Sequence, residues 1–234
     1  MGQRSYSTIL FDLDGTLIDS VPVIVSLLQA FFAEYGGSAK TAAQIKDILG
    51  PPEEQILAAR FGHKPAAEFA ARYREFLRTQ AASRSAPQLP EMMAALRRHG
   101  IPIGVITNKS AGLAEQSLQA LRVEKFVDTL VAGDMGIPLK PAPDGVRHAL
   151  RQLNGSAATA LLVGDTLADK GAAGSSGVTF MHALWFASRS SCGQCDQDCD
   201  DFSQFAHHIL DHIAGFSDES GDLGKMRSDG NLVG

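Results

Sequence analysis

At 234 residues the chain has room for one large domain or a domain with an insertion, and its 44% hydrophobic and 20% charged content is ordinary for a globular protein with a real core. No apolar run approaches the roughly 20 residues of a membrane-spanning helix. Net charge is −5, and residues 188–234 hold nine acidic side chains against three basic ones, so the preceding body is near neutral and offers no basic patch for nucleic acid.

The N-terminus, Met1-Gly2-Gln3-Arg4-Ser5, leads directly into a strand, so no signal peptide is expected. Tyr6 stands where a myristoylation pattern needs Ser or Thr, and the cytoplasm is the expected compartment. Residues 6–12 read as the first strand. Ile24, Leu27, Leu28, Phe31 and Tyr35 then recur at helical spacing, and Gly36-Gly37 ends that helix. Further helices are predicted over 42–49, 53–61 and 66–81, with Gly50-Pro51-Pro52 as a break between the first two. No strand signal appears between residues 20 and 87.

The pattern changes at Pro90, where proline at the first turn and Gly100 past the end bracket a short helix. Strands are predicted at 102–107, 126–132, 160–163 and 178–184. Helices are predicted at 111–121, from Pro143 to Gly155, and at 170–176. Strands alternating with helices of this length imply parallel pairing in a doubly wound, Rossmann-like α/β sheet. A last helix is expected over 202–216, and the Gly, Ser and Asp content of 217–234 reads as a disordered tail.

The chemistry concentrates where the first strand ends, in Phe11-Asp12-Leu13-Asp14-Gly15-Thr16. A buried strand delivers two carboxylates with one residue between them, at the end of a parallel strand where ligands of open α/β sheets bind. Two uncompensated carboxylates there repel each other, and a bound cation removes the conflict. Oxygen donors with no Cys or His nearby suggest magnesium. A helix N-cap and turn is the alternative reading of the same residues, since Asp-Gly-Thr is good turn chemistry. Thr107-Asn108 ends the second strand, where an ST-turn is the local alternative to anion binding. Lys140 lies in Leu139-Lys140-Pro141-Ala142-Pro143, whose prolines fix the backbone around it. Gly164-Asp165-Thr166-Leu167-Ala168-Asp169 follows the fourth strand, with an N-cap for Asp165 and a helix-dipole carboxylate for Asp169 as the plainer readings.

Phe11-Asp12-Leu13-Asp14-Gly15-Thr16-Leu17-Ile18-Asp19-Ser20 resembles the first motif of the haloacid dehalogenase-like (HAD) phosphohydrolases, in the variant of the phosphoglycolate phosphatase-like branch. Thr107-Asn108, Lys140 and Gly164-Asp165 resemble the three motifs that follow it in order, and the resemblance runs from about residue 7 to about residue 182. It implies a core of residues 1–19 and 88–216 with a small helical cap at 20–87. It implies Asp12 as nucleophile, Asp14 as general acid/base, and Lys140 as the cation that balances phosphate and nucleophile. It places Gly15, Thr107, Asn108 and Lys140 about the phosphate, and Asp12, Asp14, Asp165 and Asp169 about Mg2+. The implied activity is magnesium-dependent hydrolysis of a small phosphorylated metabolite through an aspartyl-phosphate, by a monomer or homodimer without nucleic-acid or membrane partners. A sugar-phosphate mutase like β-phosphoglucomutase shares fold and aspartates, and a catalytically silent binding protein is the third reading.

Selectivity is expected from the cap. It carries Arg60, His63, Lys64, Arg72, Arg74, Arg78 and Arg84, which favour an anionic substrate, and its Gly50-Pro51-Pro52 loop resembles one that approaches the site. Residues 185–201 depart from the family. There Cys192, Cys195 and Cys199 read C-x2-C-x3-C, which with His207, His208 or His212 could hold zinc. The paired spacing of zinc sites is absent, and an acidic loop with surface thiols is the other reading.

Overall fold

The computed structural model describes residues 6–86, 88–186 and 198–212. β1 (Thr8–Phe11) is the apolar run ahead of the paired aspartates, and all four residues are buried. A strand buried on both faces belongs in the middle of a sheet. β1 lies between β2 (Ile103–Ile106) and β4 (Ala160–Gly164), with Phe11 opposite Val105 on one side and Val163 on the other. β3 (Thr129–Val131) adds outside β2, β5 (Thr179–Ala183) outside β4, and β6 (Asp198–Cys199) forms an edge. Among the described residues the order is β3-β2-β1-β4-β5-β6, and every pairing is parallel.

Alternation along the strands sends side chains to two layers. Ile9, Phe11, Ile103, Val105, Leu161 and Val163 face α5 (Leu89–Arg98), α6 (Ala111–Ala120) and α9 (Phe202–His212). Leu10, Ile106, Leu162 and Phe180 face α7 (Asp144–Gln152) and α8 (Leu167–Ser176). Chain direction across the sheet reverses at β1, because β2 and β3 build outward on one side and β4 and β5 on the other. The carboxyl ends of β1 and β4 therefore flank the topological switch point, where open α/β sheets bind ligands.

The helical stretch after β1 comprises α1 (Val21–Gly36), α2 (Ala42–Lys46), α3 (Glu53–Phe61) and α4 (His63–Gln80). α1 ends where Gly37 takes the left-handed conformation, φ +67°. The four helices bury Leu28, Phe31, Ile45, Leu57, Phe69 and Tyr73 in a core continuous with the α5, α6 and α9 layer.

The predicted elements form with shifted ends. α8 starts at Leu167 rather than 170, because Thr166 and Asp169 make a reciprocal capping box there. Residues 124–126 form a 3-10 turn, which delays the third strand to 129. β6 was not predicted; two residues carry no periodicity. It includes Cys199, half-buried, whose thiol donates to the Asp201 carbonyl at 3.2 Å. Cys192, Cys195 and the tail from 217 lie outside the described residues, as does the extension of the last helix beyond His212. None of the described helices is long and apolar enough to cross a membrane.

α9 braces the sheet below the β1 end. Phe205 meets Phe11 edge-on at 6.2 Å and Trp185 at 5.1 Å, and the Tyr6 amide donates to the His212 carbonyl at 2.7 Å. Phe205→Ala leaves a cavity that Phe11, Trp185 and Phe202 cannot fill by small shifts. The expected loss is about 3–5 kcal/mol of unfolding free energy, read from urea melts followed by circular dichroism; a loss below about 1 kcal/mol would show that α9 is not part of the cooperative core.

Candidate active site

The chain leaves β1 still paired, with the Asp12 amide donating to the Val163 carbonyl at 2.8 Å, and then turns sharply. The Gly15 amide donates to Ile18 O at 2.8 Å, and the amides of Leu17 and Ile18 return to Leu13 O. Gly15 sits at φ +89°, and a Cβ there would lie 2.2 Å from Asp165 Oδ2. Glycine is required on both counts. Its amide is committed to the turn, and the missing side chain leaves clearance for Asp165. Trp185 Nε1 clasps the turn from outside by donating to Thr16 O at 2.8 Å.

Asp12 is 5% exposed and Lys140 8%. Lys140 Nζ donates to Asp12 Oδ1 at 2.5 Å, to Asp169 Oδ1 at 2.5 Å and to the Ile106 carbonyl at 2.9 Å, which uses all three protons. Asn108 holds the lysine from behind. Its Oδ1 accepts from the Lys140 amide at 3.0 Å and its Nδ2 donates to the Lys140 carbonyl at 3.1 Å. Both ends of the Asn108 side-chain amide are thus engaged with Lys140, while the residue itself lines the cleft. Thr107 Oγ1 accepts from the Lys109 amide at 3.1 Å, and as a hydroxyl it still carries a proton to donate.

Asp165 follows β4 directly, and Thr16 Oγ1 donates to its Oδ1 at 3.2 Å. Asp169 is buried, with its Oδ2 accepting from the Thr166 amide at 3.0 Å and the Thr166 hydroxyl at 2.5 Å. It is at once the helix-start carboxylate and the second anchor of Lys140. Among the described residues, Asp12, Asp165 and Asp169 form a group with ligand oxygens within 4.8 Å of one another. Burial lifts the Asp12 carboxyl to about 7 against the pull of Lys140, and Asp169 adds to the rise. Burial also raises Asp165 well above the usual carboxylate range, followed by repulsion from Asp12 and Asp169. Burial works against the Lys140 charge, but Asp12 and Asp169 together hold its ammonium above the ordinary lysine value.

The Asp14 carboxylate lines the same cleft but stands outside the three-carboxylate group, with partners of its own. Oδ1 accepts from Ser20 Oγ at 2.5 Å and from the Tyr73 hydroxyl at 3.2 Å, while Oδ2 lies 3.3 Å from Lys109 Nζ. Ser20 is the residue preceding α1, yet its hydroxyl goes to Asp14 rather than to the helix amides. Lys109 is fully buried and pairs also with Glu53. Sequence reading passed over Lys109, Glu53, Tyr73 and Ser20. Lys109 follows Thr107-Asn108 directly, which was the available signal, but the other three needed the fold.

Above these groups opens a cleft of about 840 Å3. Its walls include Asp12, Asp14, Thr107, Lys140 and Asp165 below, Lys46, Leu49, Gly50 and Pro51 opposite, and Leu167 and Phe186 at the side. The Gly50-Pro51 loop thus reaches the cleft as expected. None of the seven predicted cations lines it. Arg60 stacks on Phe32, Lys64 pairs with Glu68, Arg72 with Glu34, Arg74 bonds Gln116, Arg78 pairs with Glu75, and Arg84 with Asp19. The lysines on the cleft wall are Lys46, Lys109 and Lys140. Gly15→Ala is expected to cost about 1–3 kcal/mol through overpacking against Asp165, measured as a lowered unfolding midpoint in EDTA; an unchanged midpoint would mean the turn has slack.

The sequence profile of the haloacid dehalogenase-like hydrolases matches residues 9–183. A phosphoglycolate phosphatase of Xanthomonas campestris pv. campestris is 33% identical over 184 residues, covering 76% of this chain and 82% of that protein. An N-acetylmuramic acid 6-phosphate phosphatase of Pseudomonas aeruginosa is 31% identical over 177 residues, covering 72% and 77%. Among solved structures, a predicted phosphoglycolate phosphatase from Haemophilus somnus 129PT superimposes with a TM-score of 0.73 at 21% identity, over 88% of this chain and 99% of that one. With a profile matched from the first strand to the fifth and relatives above 30% identity along most of their length, the chain belongs to the haloacid dehalogenase-like hydrolases.

Proposed function

We propose that this chain is a magnesium-dependent phosphomonoesterase that passes the phosphoryl group through Asp12. The observation that carries the reading is the convergence of Asp12, Lys140, Asp165 and Asp169 at the strand ends beneath the cleft. The donor set fits the metal. Three carboxylates crowd together with burial raising two of them, and the group contains no sulfur or imidazole donor, which suits a hard cation. Asp12 and Asp165 would hold the ion, with Asp169 behind them. Bound magnesium supplies charge neutralisation between these carboxylates and the phosphoryl oxygens.

Asp12 Oδ attacks phosphorus, forming the acyl-phosphate O–P bond as the ester O–P bond breaks. Asp14 gives its proton to the departing oxygen, then takes one from the water that attacks the same phosphorus. Phosphate leaves and Asp12 is restored. The Thr107 hydroxyl donates to a phosphoryl oxygen during both transfers, while Lys140, its protons held by Asp12, Asp169 and the Ile106 carbonyl, balances the charge of nucleophile and phosphoryl group from beside Asp12. The helices between residues 20 and 87 act as the cap over the leaving group. Two relatives are named for phosphoglycolate and N-acetylmuramic acid 6-phosphate, both anionic phosphomonoesters. Exposed Lys46 on the cap wall offers a cation for the anionic part of such a substrate.

The test is phosphate release from a panel of these two esters, hexose phosphates and nucleotides, with and without Mg2+. Asp12→Asn is expected to lower kcat at least about 100-fold, a barrier increase of about 2.7 kcal/mol, while circular dichroism stays native. Residual activity above that level removes Asp12 as nucleophile.

Magnesium affinity carries a pH signature. Asp12 without metal sits at about 7, and Asp165 is also raised, so each must lose its proton to ligate. Affinity is expected to rise from pH 6 to pH 8, with protons released on binding. Calorimetry in two buffers of different ionisation enthalpy reads that release directly; pH-independent binding would contradict the assignment.

A further inference from the structure

Lys109 is a second buried cation that the proposed chemistry leaves without a task. It is 2% exposed and its Nζ stands 3.2 Å and 3.3 Å from the two Glu53 oxygens, 3.3 Å from Asp14 Oδ2, and 4.2 Å from the centre of the Tyr73 ring. Glu53 opens α3 and is itself 6% exposed. Tyr73, from α4, is fully buried and donates to Asp14 Oδ1. Residues of two inserted helices therefore close on one carboxylate that belongs to the β1 loop.

Such an arrangement is costly, because two carboxylates and an ammonium leave water together. Packing does not require it, since Leu57, Phe69 and neighbouring side chains already join these helices to the rest of the core. What the cluster does is divide the ammonium. Glu53 takes one side of Lys109 with both oxygens, leaving Asp14 a single oxygen contact at 3.3 Å. Without Glu53 the full positive charge falls on Asp14 and draws its carboxylate toward Lys109, away from an ester oxygen at Asp12.

We infer that Glu53 is a positioning residue for Asp14, acting through Lys109, so that α3 sets where the proton donor stands relative to the leaving group. The inference rests on the phosphomonoesterase reading. It predicts a defect that depends on the leaving group, because a basic leaving oxygen needs the Asp14 proton and a good leaving group does not.

The experiment compares kcat/KM for p-nitrophenyl phosphate and phenyl phosphate, a quantity that covers binding through transfer to Asp12. Glu53→Gln is expected to cost about tenfold more on phenyl phosphate than on p-nitrophenyl phosphate, within the 10²–10⁴-fold that a positioned general acid contributes. In an Asp14→Asn background, adding Glu53→Gln is expected to leave the ratio of the two esters unchanged, since both changes act through one group. Equal losses on the two esters, or a ratio that still shifts without Asp14, would overturn the inference. Where Glu53→Gln does not fold, Glu53→Asp keeps the charge with a shorter reach, and the same ratio decides. Wild-type protein that releases phosphate neither from these two esters nor from the metabolite panel overturns the phosphomonoesterase reading itself, whereas an active wild type with uniform variant losses overturns the Glu53 assignment alone.

Discussion

The ammonium of Lys140 joins three parts of the chain that are far apart in sequence. It binds Asp12 from the β1 loop, Asp169 from the first turn of α8, and the carbonyl of Ile106 at the end of β2. In water each contact would be nearly worthless. Here both carboxylates are buried, and the loss of hydration is recovered only if the cation is held at short range with every proton used. That demand explains the scaffolding around it. Asn108 fixes the lysine backbone at two points, Thr166 fixes Asp169 at two more, and Gly15 leaves the space into which Asp165 fits.

One lysine cannot neutralise three carboxylates. Lys140 answers Asp12 and Asp169, while Asp165 lies close to both and accepts from the Thr16 hydroxyl. The raised Asp12 and Asp165 carboxyls express that deficit of positive charge. In the proposed reading a divalent cation would make good the deficit, and a phosphoryl dianion arriving with it would complete the balance.

Asp12 and Asp14 are separated by one residue and serve different cations. The tight turn through Leu13 to Ile18 rotates Asp14 away from Lys140 and into contact with Lys109, Tyr73 and Ser20. Two carboxylates thereby acquire two environments, which is the usual route to giving one a nucleophilic role and the other a proton-transfer role. The helices inserted after β1 take part in that separation, because Glu53 and Tyr73 reach Lys109 and Asp14 from above. Lys46, Leu49, Gly50 and Pro51 of the cleft wall therefore come from the same inserted segment as the residues that reach Lys109 and Asp14.

Much of this was legible in the sequence. Apolar runs ending in Asp12 and in Gly164-Asp165 identified strands and their carboxylates, since burial on both faces demands continuous hydrophobicity and a ligand-bearing end demands polar residues. The helical insertion was legible from 3.6-residue periodicity. Sequence spacing could not reveal what a side chain would touch once the backbone turned. The Asp14 carboxylate finds Ser20, Tyr73 and Lys109, Asn108 spends its amide on Lys140, and the arginines of the inserted helices find acids, the Phe32 ring or the Gln116 amide instead of the cleft. Lys109 and Glu53 lie 56 positions apart, and only the placement of the α3 N-terminus beside the loop after β2 makes them a buried pair. Local propensity and pattern are written in neighbouring residues, so the sequence by itself determined the elements and the chemistry-bearing positions. Partner choice among buried charges is a property of three-dimensional proximity and desolvation, so the tertiary structure alone decided which cation each carboxylate serves.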